Sequence, residues 1–246
     1  MTPRPFLILT LRRTGGTSLM AFLSQISPFP SMEHEPFNKN RVWGPVAEGF
    51  RDTGEIAPVR AAIAEAVRDQ RNLKHCFEFL PSAITAALIE ACHAAGYRIF
   101  LLTRRNEVGR IASLFLARAT GAWGSAQAGE IYPRILAGEI EAQAVDPKAM
   151  QNQMARDMRA TCQVQALLRH RRIPYDWQIF EELYQGETPI ELQALAIARD
   201  LGIAVAEDDP RLQTFAQKGG QGSSQIAAHV KGLAAGRRLL ARHWME

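Results

Sequence analysis

The sequence predicts an α/β fold of three layers, with a mainly parallel central sheet and helices on both faces. Three observations carry this. Short strand-like runs recur at 6–9, 73–79, 97–103 and 174–180, and the unbroken apolar run at 6–9 suits a strand buried on both faces. Between them lie longer stretches whose apolar residues repeat at helical spacing, so strands and helices alternate as in βαβ units. The first run also passes through a basic, Gly-containing elbow straight into a helical pattern. A length of 246 residues is enough for one such domain with a substantial core, and a single domain over 1–246 is expected.

The first strand and elbow read PFLILTLRRTGGTSLMAFLSQI, from Pro5 to Ile26. Phe6, Leu7, Ile8 and Leu9 form the strand; Leu19, Phe22, Leu23 and Ile26 recur at helical spacing, with Thr17 and Ser18 in the first turn. A helix N-terminus has unpaired N–H groups and partial positive charge, so it favours an anion. Gly15 and Gly16 let the backbone approach such a ligand, Thr14, Thr17 and Ser18 add hydroxyls, and Arg12 and Arg13 add charge. The elbow is P-loop-like without being a Walker A loop, because Gly16, not Lys, precedes Thr17.

From Ser27 to Ala57 the chain is rich in Pro, Gly and charge and shows no sustained period; loops this long are usually functional or disordered, and Phe29, Phe37 and Trp43 argue against disorder. Glu33, His34 and Glu35 cluster there before Pro36. Pro58 to Arg71 reads as a helix on Val59, Ile63 and Val67, and Leu73 to Phe79 as the second strand. Pro81 and Ser82 open a helix that Ser82 is expected to cap and Gly96 to end. Tyr97 to Thr103 is the third strand. It ends in Arg104, Arg105 and Asn106, with Asn106 the expected cap of a helix striped by Val108, Ile111, Ala112 and Phe115. In a parallel sheet this second basic junction lies on the same carboxyl edge as the elbow.

Gly121 to Asp146 reads as an insertion facing a ligand with Trp123 and Tyr132. Lys148 to Arg172 is a long helix whose Met150, Met154, Met158 and Cys162 form an expected core stripe. Pro174 to Phe180 is the fourth strand and Pro189 to Leu201 a helix that Gly202 ends. A Gly-rich turn at 217–224 precedes a basic helix from Gln225 to His243 with Ile226, Val230 and Leu233 buried.

Composition narrows the function classes. Hydrophobic content of 47% and charged content of 22% are those of a soluble globular protein, and the absence of a long apolar run predicts no membrane span and a cytoplasmic location. A net charge of +4 comes from dispersed arginines, which favours small anionic ligands over nucleic acid. Cys76, Cys92 and Cys162 lack metal-site or disulfide spacing and are expected to be buried thiols. Oligomeric state stays open, a homodimer included.

The basic elbow after the first strand resembles the 5′-phosphosulfate loop of sulfotransferases that use 3′-phosphoadenosine-5′-phosphosulfate (PAPS). LLTRRNEVGRIASLFLA, from Leu101 to Ala117, resembles that family's 3′-phosphate motif, with Arg105 and Ser113 in the matching positions. FEELYQGETPIELQALAIARDLGI resembles its "YEDL…P…L…LGI" segment, a structural element. Glu35-Pro36-Phe37 is similar to the bacterial glycolipid and trehalose-type branch, which implies Glu35 as general base; His75 in LKHCFEF is the competing base by similarity to the "KTH" context of the eukaryotic cytosolic branch. Lys218 and Gly219 resemble part of an "RKGxxG" loop around the 3′-phosphate, with Gln217 where Arg is usual.

The resemblance thus implies sulfuryl transfer from PAPS to a hydroxyl of a small-molecule, glycan or lipid acceptor. PAP is the product, no metal is required, and Arg13 stabilises the departing phosphate. The acceptor site would come from 27–57 and 121–146. Two alternatives stand beside it: an ATP-dependent phosphotransferase of the P-loop type, and a nucleotide-binding module without turnover.

Overall fold

The computed structural model describes residues 2–32, 35–216 and 223–245. By compactness the chain divides into two units, Met1–Arg105 with Arg159–Lys218, and Asn106–Met158 with Gly219–Glu246. The first contains a four-stranded parallel sheet in the order β2-β1-β3-β4. Its strands are β1 (Phe6–Thr10), β2 (Leu73–Cys76), β3 (Arg98–Thr103) and β4 (Asp176–Ile179). The sequence's α/β expectation holds, and the reason is visible in β1, where every residue is buried.

Alternation along β1 splits the core in two. Leu7 and Leu9 join Leu73, Ile99 and Leu101 on one face of the sheet. There they meet α2 (Gly44–Thr53), α3 (Ala57–Arg68) and α4 (Ser82–Ala94). Phe6 and Ile8 join Phe100 and Leu102 on the other face, against α1 (Gly16–Ile26). Both faces of the central strands β1 and β3 are thereby covered, as parallel strands require, while the edge strand β4 is only partly buried. Each large apolar side chain so buried contributes about 1.5–3 kcal/mol.

The second unit begins with α5 (Glu107–Thr120) and α6 (Ser125–Leu136). α7 (Pro147–His170) starts in this unit and ends in the first. The first unit continues with α8 (Phe180–Gln185), α9 (Ile190–Asp200) and α10 (Pro210–Ala216), which complete the layer containing α1. Short α11 (Ser223–Ile226) and then α12 (Leu233–Met245) return to the second unit, whose core includes Ile111, Leu114, Met150, Met154, Val230 and Leu240. No helix among the described residues is long and apolar enough to cross a membrane.

Several local expectations are corrected. The stretch 27–57 contains α2, hidden from the periodicity by its charged Glu48, Arg51 and Asp52. The stretch 121–146 contains α6, and Tyr132 is buried in the second unit's core instead of facing a ligand. Ser82 does not cap α4 through its side chain, whereas Asn106 caps α5 by accepting from the Gly109 amide at 2.7 Å. The methionine stripe is core only at Met150 and Met154; Met158 and Cys162 are exposed. A strict repeat of four turns about 40° further round a 3.6-residue helix at each step, so the stripe walks out of the core. Cys76 and Cys92 are buried as expected. The basic C-terminal segment breaks at Gly232, whose φ is +84 and where a Cβ would lie 2.0 Å from the Val145 carbonyl oxygen.

Candidate functional site

At the carboxyl edge of the sheet, β1 leaves into the elbow. Thr10 pairs with Leu102 of β3 and with Cys76 of β2, so three strand ends meet where the strand order reverses, β2 lying on one side of β1 and β3 on the other. Such a switch point leaves a crevice in open α/β sheets. The elbow has two left-handed residues, Arg13 (φ 66) and Gly15 (φ 79). Gly15 is the N-cap of α1 and has no side chain to fill the helix end, and the first turn carries no acid. Among the described residues, nothing accepts a hydrogen bond from the backbone N–H groups of 14–17. An anion fits this donor set.

A buried asparagine brings the next functional group here. Asn72 accepts from the Phe6 amide at 3.2 Å and donates to Ser27 Oγ, the Phe29 carbonyl and Ser31 Oγ at 3.0–3.2 Å. Its own amide donates to the Pro30 carbonyl at 2.7 Å and its carbonyl accepts from Met32 at 3.0 Å. The loop is thereby fastened beside β2 just before Glu35, which itself has a left-handed φ of 57.

Lys74 completes the group. It lies in β2 opposite Ile8, only 2% exposed, and its Nζ donates to Glu35 Oε1 at 2.8 Å and to Thr17 Oγ1 of α1 at 3.2 Å. Asn38 Nδ2 donates to Glu35 Oε2 at 2.8 Å and Cys76 Sγ to Oε1 at 3.3 Å. Burial pushes the Glu35 carboxyl up, but the Lys74 ammonium and the bonds from Lys74, Cys76 and Asn38 outweigh it and hold it at about 2. Burial likewise works against the charge on Lys74, and Cys76, Glu35 and Glu78 raise it above its ordinary value. Glu35 is therefore ionised and Lys74 charged at neutral pH, next to the first turn of α1.

No family model and no curated protein matches the chain.

The other residues singled out in the sequence fall in different places. Arg12 is directed at Glu78, with Nε 2.6 Å and the backbone N–H 3.0 Å from Oε1, and its guanidinium lies over the Phe79 ring. It fastens the elbow to the end of β2 instead of presenting its charge to a ligand. Thr14 is buried and donates inward to the Leu11 carbonyl at 2.8 Å, so its hydroxyl is not part of the cradle. Gly16 is buried against Thr10, whose Cγ2 would be 2.9 Å from a Cβ. Thr17 is exposed, and Ser18 and Arg13 are half-buried.

His75 points to the opposite sheet face from Lys74, because neighbours along a strand alternate. It is buried, with Nε2 2.9 Å from Thr85 Oγ1 and its ring edge-on to Phe37. Burial, only partly offset by Glu35, pushes it down to about 3, so it is a neutral core histidine with no route to a substrate. Arg105 is 63% exposed and pairs with Glu182 at 2.5 Å, while its backbone N–H donates to Glu181 at 2.8 Å. Ser113 is half-buried on α5, in the second unit. Glu33, His34, Lys218 and Gly219 lie outside the residues that the structure describes closely enough to place their side chains.

Two residues at the elbow, Lys74 and Tyr184, are not singled out by sequence, and Arg104 is marked there only as one of the basic pair that ends β3. Lys74 carries a faint signal, a lysine between Leu73 and His75 inside a run read as a strand. Arg104 donates to the Arg13 carbonyl at 3.2 Å, and Tyr184 to the Gly15 carbonyl at 2.8 Å; no local pattern ties either of them to the elbow.

Proposed function

We propose that the protein is a PAPS-dependent sulfotransferase acting on a hydroxyl of a small-molecule, glycan or lipid acceptor. One observation carries the reading: Lys74 bridges Thr17 in the first turn of α1 and the carboxylate of Glu35. A candidate base and an anion-binding helix end thus share one buried cation. The open amides of 14–17, Thr17, Ser18 and Arg13 would hold the 5′-phosphosulfate, and Arg105 the 3′-phosphate.

In the reaction, the bond between sulfur and the bridging 5′-phosphate oxygen breaks as the acceptor oxygen bonds to sulfur. The electron pair leaves on the phosphate of PAP, where Lys74 and the amides offset the growing charge. The acceptor proton passes to Glu35. A carboxylate held this low is a weak base, which suits a proton that becomes strongly acidic only once its oxygen has bonded to sulfur.

The test is a thermal-shift comparison of PAP, ADP and ATP. Selective stabilisation by PAP, lost in Arg105→Ala, is expected. Equal shifts with all three, or a preference for ATP with Mg²⁺, would replace this reading with the phosphotransferase. Tight PAP binding with no transfer to any hydroxyl acceptor would leave a binding module.

A further inference from the structure

The elbow holds Arg13 in a conformation that a non-glycine residue does not favour. Arg13 is a non-glycine residue in the left-handed region, and Gly15 is left-handed close by. Such a backbone persists only where its surroundings over-determine it. Those surroundings are remote in sequence. Tyr184 Oη donates to the Gly15 carbonyl at 2.8 Å, a carbonyl that also accepts from the amides of Ser18 and Leu19. Arg104 Nη1 donates to the Arg13 carbonyl at 3.2 Å. Arg104 is itself held by α8: its Nε is 3.4 Å from Glu181 Oε1, and its guanidinium lies 4.2 Å from the centre of the Phe180 ring. Phe180 and Tyr184 pack on each other, and a Cβ at position 15 would lie 2.6 Å from the Tyr184 ring and 3.0 Å from Phe180.

We propose that Arg104 and Tyr184 are positioning residues for the anion elbow: each captures one carbonyl oxygen of the loop, fixing residues 13 and 15 so that the amides between and after them stay open to the ligand. The FEELY segment of α8 thus sets the shape of the donor site as well as completing the fold. Carbonyl oxygens repel an anion, and a peptide flip at 13 or 15 would exchange an N–H for a C=O in the cradle. Burial pushes the Tyr184 phenol up, so its hydroxyl remains a proton donor to the carbonyl throughout the neutral range.

The inference rests on the elbow being an anion site, and the experiment separates the two. Tyr184→Phe deletes one oxygen and keeps the ring packing; Arg104→Lys keeps a donor able to reach the Arg13 carbonyl, and Arg104→Met does not. The full chain and each variant are titrated with PAP and with inorganic pyrophosphate, and amide hydrogen exchange of Ser18 and Leu19, which donate to the Gly15 carbonyl, is followed without ligand. Tyr184→Phe and Arg104→Met are expected to weaken both ligands by about tenfold and to speed exchange at 18 and 19, with Arg104→Lys retaining most of the affinity. Wild-type binding and exchange in Tyr184→Phe and Arg104→Met would overturn the proposal. If the wild type binds pyrophosphate but not PAP, and the variants weaken that binding, the brace stands and the PAPS reading falls. Binding of neither anion by the wild type would overturn both.

Discussion

Two strand-to-helix junctions in this chain carry paired arginines, and they are built in opposite ways. At β3 to α5 the helix caps itself: Asn106 accepts from the Gly109 amide, Glu107 stands in the first turn, and Arg105 is paired with Glu182. At β1 to α1 the cap is Gly15, the first turn has no acid, and the amides of 14–17 have no described acceptor. Both read as basic turns on one edge of a parallel sheet. The β3 junction fills its helix end with a side chain of its own, and the β1 junction does not. Two arginines after a strand are therefore a poor guide to an anion site by themselves; the capping residue beyond them, a glycine or an asparagine, decides whether the helix supplies its own acceptor.

The sharpest way to break this contrast is to remove one arginine from each junction. Arg12→Ala takes the cation away from Glu78, whose side chain is fully buried, and should destabilise the protein by about 2–4 kcal/mol in a denaturant titration. Arg105→Ala removes an exposed pair and should cost less than about 1 kcal/mol, its effect falling on ligand affinity instead. Equal stability losses would mean that the two junctions do not differ as described.

Glu35 adds a pH signature peculiar to the elbow. A carboxyl lowered from 4.5 to about 2 in the fold contributes stability that is fully present above its ordinary value and is lost as pH falls from about 4.5 towards 2. Glu35→Gln should lower stability at pH 7 by on the order of 2–3 kcal/mol and flatten the acid limb over that window. A variant whose acid limb matches the wild type would show that Lys74 and Glu35 are not coupled in solution. The smallest effect concerns the self-capped junction: Asn106→Ala should cost about 1 kcal/mol and, if the junction's helix end is closed to ligands, leave pyrophosphate affinity unchanged.

Some of this site is legible in the sequence and some is not. The elbow is, since an apolar run, a glycine and a helical stripe are all local. Glu35 is marked by its similarity to a family motif, and Asn106 by ordinary capping chemistry. Lys74 is only faintly marked because its partners Thr17 and Glu35 are 57 and 39 residues away, and His75 beside it draws the attention a titratable ring always draws. One step along β2 separates them, and alternation sends Lys74 towards α1 and His75 into the opposite core. Tyr184 is 169 residues from Gly15, with nothing in its neighbourhood to connect the two.

The chain's local order determined the class of fold, because strand and helix periods depend on neighbours within a few residues. It also determined where a backbone would be open to an anion, because glycine at 15 has no side chain with which to cap the helix. Only the assembled sheet decided which charges stand at that opening. Arg12 was drawn to Glu78, Arg104 to the elbow carbonyl, and Lys74 to Glu35, each by the low dielectric and the unmet donors and acceptors it found on burial, which no stretch of sequence carries by itself.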